Sequence, residues 1–204
     1  MSGLPAGAAR KAVLLDKDGT LIEDVPYNVD PALIRLLPGV GEALRALHAA
    51  GYTLVVITNQ SGVARGLFPE AALEGVEARL RELLAAEGVP LAGFLACPHH
   101  PEGTVAPYAQ ECECRKPQPG LLRRAARELG LDLSASWMVG DILNDVEAGG
   151  RAGCRTVLLD TGGETEWVPG PYRTPDVTAR GWPEVAAVIL QAQEEGRTDA
   201  LRTP

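Results

Sequence analysis

Asp16-Lys17-Asp18-Gly19-Thr20 places two carboxylates two residues apart where a short apolar run ends. Such a pair could hold a divalent cation, and one of the two could attack an electrophile. Gly19 permits the tight turn that brings backbone amides toward an anion. Alone, the pattern is equally that of an Asx turn closing a strand. Three later clusters have the same ambiguity. Thr58-Asn59-Gln60-Ser61-Gly62 offers a hydroxyl, two amides and free backbone N–H groups, or simply a polar loop. Arg115-Lys116-Pro117 supplies adjacent cations that a solvated surface would also carry. In Gly140-Asp141-Ile142-Leu143-Asn144-Asp145 the acidic and amide side chains could bind a cation or cap the start of a helix.

A fifth cluster is more specific. Cys97-x-His99 and Cys112-x-Cys114 together provide three thiolates and an imidazole, the donor set of a tetrahedral structural zinc. Four protein ligands leave no open position, so this zinc would hold the chain rather than activate water. His100 adjoins His99 and is the alternative imidazole, although the spacing favours His99. The fourth cysteine, Cys154, stands apart in an apolar context and reads as a small buried hydrophobe. His48 lies among alanines on a helix and reads as a surface histidine.

The elements that would position these residues follow from periodicity. Buried strands are expected at Ala12–Asp16, Thr53–Thr58, Leu91–Ala96, Trp137–Val139 and Thr156–Leu159, with a weaker edge strand at Asp176–Thr178. Helices are expected after Pro38-Gly39 up to Gly51, over 70–87, at Pro119–Leu129, at Asn144–Gly149 and at Pro183–Gln193, with a frayed polar tail over the last ten residues. Strands alternating with helices predict an α/β fold built on a doubly wound, mostly parallel sheet. The clusters at 16–20, 58–62 and 140–145 then all fall at carboxyl ends of strands, where open α/β sheets bind ligands. Residues 97–118 have neither period. A loop of that length needs an organiser, and the zinc would tie it at both ends.

Composition narrows the class of function. The chain has 204 residues, 46% of them hydrophobic and 23% charged, which is enough for one full core and excludes global disorder. Nineteen basic residues against twenty-seven acidic ones give a net charge of −8, and aromatic residues make up only 4%. That balance argues against a nucleic-acid partner. No apolar run approaches a membrane span and no secretory leader is visible, so a cytoplasmic protein comprising one domain over 1–204 is expected.

Taken together, the strand-end DxDGT, the strand-end Thr58, the later Lys116 and the strand-end GDxxxD, in that order, resemble the haloacid dehalogenase superfamily of phosphohydrolases. The resemblance implies a Rossmann-like phosphatase domain with Mg2+ as cofactor. Asp16 would form an aspartyl-phosphate, and Asp18 would protonate the leaving alcohol and later activate water. Thr58 and Lys116 would bind non-bridging phosphate oxygens. Asp16, the backbone carbonyl of Asp18 and Asp141 would hold the magnesium, with Asp145 orienting metal-bound water. A catalytically silent relative should have lost Asp16, Asp18 or Lys116; this chain keeps all three.

The run from Cys97 to Gly120, together with TNQSGVARG, closely resembles the capless phosphatases of D-glycero-D-manno-heptose 1,7-bisphosphate, which serve nucleotide-heptose synthesis for surface polysaccharides. The implied partner is a small sugar phosphate. Histidinol-phosphate phosphatases share both motifs and are the runner-up. Substrate contacts are expected from Asp24, Tyr27, Asn59, Gln60 and Ser61, with Arg65 and Arg115 meeting a second phosphate. Ile142 is a departure, standing where some heptose enzymes carry a basic residue. A monomer is the expected state.

Overall fold

A computed structural model describes residues 9–202. Most of the N-terminal stretch read above for a leader, residues 1–8, lies outside it, as do the last two residues. Six strands form one sheet in the order β3-β2-β1-β4-β5-β6: β1 (Ala12–Leu15), β2 (Thr53–Asn59), β3 (Gly93–Cys97), β4 (Trp137–Gly140), β5 (Arg155–Leu159) and β6 (Val177–Ala179). Every pairing is parallel. The doubly wound α/β architecture expected from the alternation is present.

Side-chain alternation assigns the two faces. Val13, Leu15, Leu54, Val56, Trp137, Val139 and Val157 join one core with α1 (Val40–Ala49), α2 (Ala72–Ala86) and α5 (Trp182–Arg202). Ala12, Leu14, Val55, Ile57, Leu95 and Met138 face the opposite way, onto α3 (Gly120–Leu129) and Ala148 of α4 (Leu143–Ala152). Both faces of the central strands are therefore covered, which is why their sequences are continuous apolar runs. No cap domain is inserted among the described residues. The connection from β1 to α1 carries only a 3-10 turn at Pro31–Leu33.

Element ends agree with the periodicity to within a few residues, with one correction. The polar tail expected to fray continues α5 as far as Arg202. It lacks an apolar stripe, but its Gln, Glu, Ala, Leu and Arg residues are good helix formers, and Gln191 donates to Glu195 one turn on at 3.0 Å. Among the described residues no helix is long and apolar enough to cross a membrane.

Chain order and strand order diverge at β1. β2 and β3 lie on one side of it, and the chain then crosses back to place β4 on the other. The loops after β1 and β4 therefore part at their carboxyl ends and leave a crevice between them.

Candidate active site

Asp16 directly follows β1 and Asp141 directly follows β4, one on each lip of that crevice. Asp145 reaches the same point from the first turn of α4 and is wholly buried. One carboxylate oxygen from each of the three lies within 4.8 Å of the others. The turn after β1 is built to let them meet. Gly19 has φ +73°, and a Cβ there would fall 2.3 Å from Asp141 Oδ2. Thr20 Oγ1 donates to Asp141 Oδ1 at 3.0 Å, while the Thr20 carbonyl accepts from the indole N–H of buried Trp182 at 2.8 Å. The first residue of α5 thus braces the turn that carries the acidic pair.

Lys116 is the cation at this centre. Its ammonium donates to Asp16 Oδ1 and, at 2.9 Å, to the Ile57 carbonyl, and it lies 2.7 Å from Asp145 Oδ1. Its backbone is held as firmly. Asn59 Oδ1 accepts from the Lys116 N–H at 3.0 Å and Asn59 Nδ2 donates to the Lys116 carbonyl at 3.1 Å. Burial works against the Lys116 charge, but Asp145 and Asp16 outweigh it and raise its pKa.

The carboxylates have the opposite problem. Burial, with repulsion from Asp145, Asp141 and Asp18, pushes Asp16 up to about 8 despite the neighbouring ammonium. Burial and Asp145 push Asp141 up to about 6. One lysine, shared between Asp16 and Asp145, does not neutralise three buried carboxylates. An all-oxygen, electron-rich cage of this kind fits a small hard cation such as magnesium.

Thr58, the next-to-last residue of β2, is buried. Its hydroxyl oxygen accepts from Gln60 Nε2 at 2.9 Å, and the same amide donates to Asp18 Oδ2 at 3.0 Å. A cavity of about 260 Å3 beside these groups is lined by Asp18, Asp24, Tyr27, Asn59, Gln60 and Ser61, among others. Five of the seven expected contact residues, Asp24, Tyr27, Asn59, Gln60 and Ser61, therefore line one pocket. Two of them also hold other site residues in place, Asn59 the backbone of Lys116 and Gln60 the side chains of Asp18 and Thr58. Arg65 and Arg115 do not line that cavity. They sit on either side of His100, where Arg65 is 3.2 Å from the ring Nε2 and the positive charge of both arginines, after burial, lowers the imidazole pKa. Arg115 has only a carbonyl contact at 3.4 Å, from His99, and no acidic partner among the described residues. Ile142 starts α4, whose Leu143 N–H is capped by Glu164 at 2.6 Å.

The Cys/His cluster closes as the spacing predicts. Sγ of Cys97 is 3.6 Å from Cys112 and 3.0 Å from Cys114, and Cys112 is 3.1 Å from Cys114. His99 Nδ1 lies 3.2 Å from Cys114 and 3.7 Å from Cys97. Ligands about 2.3 Å from one centre would be roughly 3.7 Å apart, so the four donors form a slightly contracted tetrahedral cage. His100 is not one of the four and its ring Nε2 lies 3.2 Å from Arg65. The hydrogen bond between Cys97 and Cys114 pulls Cys114 down to about 5 and, with burial, raises Cys97. Cys154 is buried, and burial pushes its thiol up to about 12, as suits an inert core residue.

Lys17 was not among the expected site residues. It is 2% exposed and its ammonium is 2.5 Å from Asp18 Oδ1. A buried lysine between two strand-end aspartates was the available signal, but burial at the turn is not readable from spacing.

Residues 113–181 match the HAD-hydrolase-like family model. A D-glycero-beta-D-manno-heptose-1,7-bisphosphate 7-phosphatase of Yersinia pestis is 44% identical over 74% of this chain and 81% of its own length. The enzyme of the same name from Escherichia coli K12 is 45% identical over 74% of this chain and 80% of its length. A crystal structure of D,D-heptose 1,7-bisphosphate phosphatase from B. bronchiseptica, complexed with magnesium and phosphate, superposes with a TM-score of 0.73 and 34% identity, covering 89% of this chain and 99% of that one.

Proposed function

This chain belongs to the HAD-like hydrolases, with the D-glycero-β-D-manno-heptose-1,7-bisphosphate 7-phosphatases, and from that membership we propose that it removes the 7-phosphate of this sugar bisphosphate. The observation that carries the reading is the convergence of Asp16, Lys116, Asp141 and Asp145 at one buried point beside a small polar pocket.

Magnesium, held by Asp16, the Asp18 backbone carbonyl and Asp141, would neutralise charge on the phosphate oxygens. The chain's own groups do the rest. Lys116 and the Thr58 hydroxyl orient the phosphoryl group toward Asp16, whose carboxylate oxygen bonds to phosphorus. The ester P–O bond breaks with its electron pair on the sugar oxygen, and Asp18 supplies the proton. Water then attacks the aspartyl-phosphate, its proton passes to Asp18, and inorganic phosphate leaves with Asp16 restored. The pocket lined by Asp24, Tyr27 and Ser61 would hold the sugar hydroxyls. Arg115, half-buried and without an acidic partner, suits the second phosphate, with Arg65 beside it. Zinc in the Cys97, His99, Cys112, Cys114 cage would fix the loop that ends at Lys116.

Phosphate release from the heptose bisphosphate, a heptose monophosphate and histidinol phosphate, with and without magnesium, tests the assignment. Asp16→Asn is expected to abolish turnover on every substrate, because an amide cannot form the acyl-phosphate. Arg115→Ala is expected to raise KM about ten- to a hundredfold for the bisphosphate and much less for the monophosphate. Better turnover of histidinol phosphate than of the heptose bisphosphate would overturn the substrate, and a fully active Asp16→Asn would overturn the mechanism.

A further inference from the structure

Both oxygens of the Asp18 carboxylate are occupied. Lys17 Nζ lies 2.5 Å from Oδ1, and Gln60 Nε2 donates to Oδ2 over 3.0 Å. The two donors are unlike ordinary surface partners. Lys17 is 2% exposed, so its ammonium has left water and depends on a fixed anion. Asp18 is its one ion pair within 4.0 Å among the described residues, with the charge of Asp24 also near. Gln60 is 6% exposed, and its amide hydrogens are divided between Asp18 and Thr58 Oγ1, the latter at 2.9 Å. One amide therefore ties the turn after β1 to the end of β2. The reaction as described above assigns no step to either donor.

We propose that Lys17 and Gln60 form a two-point clamp that aims the Asp18 carboxyl at the leaving oxygen, which makes both of them positioning residues for proton delivery. The proposal deepens the phosphatase reading and rests on Asp18 being the general acid. The geometry also distinguishes the two oxygens. The charged Lys17 bond, made by a buried group, anchors Oδ1 on the protein side. Gln60 and Asp18 both line the cavity that contains Asp24 and Tyr27. Oδ2 is thus the oxygen that turns to substrate, giving its proton to the sugar oxygen while the Gln60 amide still donates to it. An unclamped aspartate would rotate about two side-chain torsions, and proton transfer demands heavy atoms within about 2.6–3.2 Å. Small misplacements at this distance lower the rate steeply.

The test uses leaving-group chemistry, because a nitrophenolate departs without a proton whereas a sugar alkoxide does not. The quantity read is kcat/KM, which ends at formation of the aspartyl-phosphate and so excludes the later role of Asp18 in water activation. Lys17→Met and Gln60→Met are each expected to lower kcat/KM about tenfold or more beyond their effect on p-nitrophenyl phosphate when the heptose bisphosphate is the substrate. Lys17→Arg, which keeps a cation, is expected to recover most of the loss. Equal losses on both substrates would mean a merely structural role and would overturn the clamp. Asp18→Asn separates this failure from failure of the underlying reading. If it shows the leaving-group difference while the clamp variants do not, only the clamp falls; if it too loses both substrates equally, Asp18 is not the acid. Should Lys17→Met not fold, Gln60→Met decides alone.

Discussion

Asn59 commits both ends of its side-chain amide to the backbone of a residue 57 positions away, accepting from the Lys116 N–H and donating to its carbonyl. Spacing alone marks it as a pocket residue ready to touch substrate; in the structure it holds the backbone of Lys116. The two roles have different kinetic signatures. Asn59→Ala leaves a buried N–H and C=O to find water, at a cost of about 1–3 kcal/mol, and lets the ammonium drift from Asp16. We expect a lower melting temperature and a kcat reduced roughly tenfold with KM little changed. A variant in which only KM rises would return Asn59 to substrate binding. Lys17 illustrates the same boundary of sequence reading. Motif order placed Asp16, Asp18, Thr58 and Asp141 at strand ends, which parallel sheets present together, whereas Lys116 comes from the loop before α3 and Asp145 from α4. Which amide meets which carboxylate depends on turn geometry and on contacts far apart in the chain, and periodicity carries no trace of either.

Between residues 98 and 119 the chain has no regular element, yet it delivers Lys116 to within hydrogen-bonding distance of Ile57. Local backbone bonds help, notably those from Thr104 and Val105 to the Ala64 carbonyl. The four convergent metal donors close the loop at both ends, from Cys97 in β3 to Cys114, two residues before Lys116. The purified protein is therefore expected to contain about one zinc per chain by metal analysis. Cys112→Ala should lose it. Activity is expected to drop about tenfold or more with no other side chain changed, while circular dichroism keeps most of the helix signal, since the bulk of the two cores lies between the sheet and its helices. A zinc-free protein with full activity would refute this coupling. The convergence of these four donors was legible because Cys and His are rare here and their spacing is specific. α5 was underestimated for the converse reason: its last turns are held by helix propensity, without the apolar stripe that periodicity detects.

The fold as a whole gathers more negative charge than it can neutralise, in a chain that is already acidic at −8. With no divalent ion bound, burial and mutual repulsion place Asp141 at about 6 and Asp16 at about 8, against 3.8 for an unhindered carboxyl. Folded-state values above the unfolded ones mean that the native protein retains protons which the unfolded chain has released. Their contribution to stability is complete below about pH 4 and is lost as pH rises through about 6 and then about 8. Magnesium requires the ionised carboxylates, so its stabilisation should run the other way. Protein freed of magnesium by dialysis is expected to melt at progressively lower temperature from pH 5 to pH 8, and the melting temperature gained on adding magnesium should grow over the same range. General repulsion in an acidic chain also lowers stability as pH rises, so a second protein is needed to isolate the cage. Asp141→Asn removes one of the crowded charges and one ligand together. It should flatten the pH slope of the metal-free protein and abolish most of the response to magnesium. If the magnesium increment were the same at pH 5 and pH 8, or survived in Asp141→Asn, the ion would not be held by Asp16 and Asp141 at the mouth of the β1–β4 crevice.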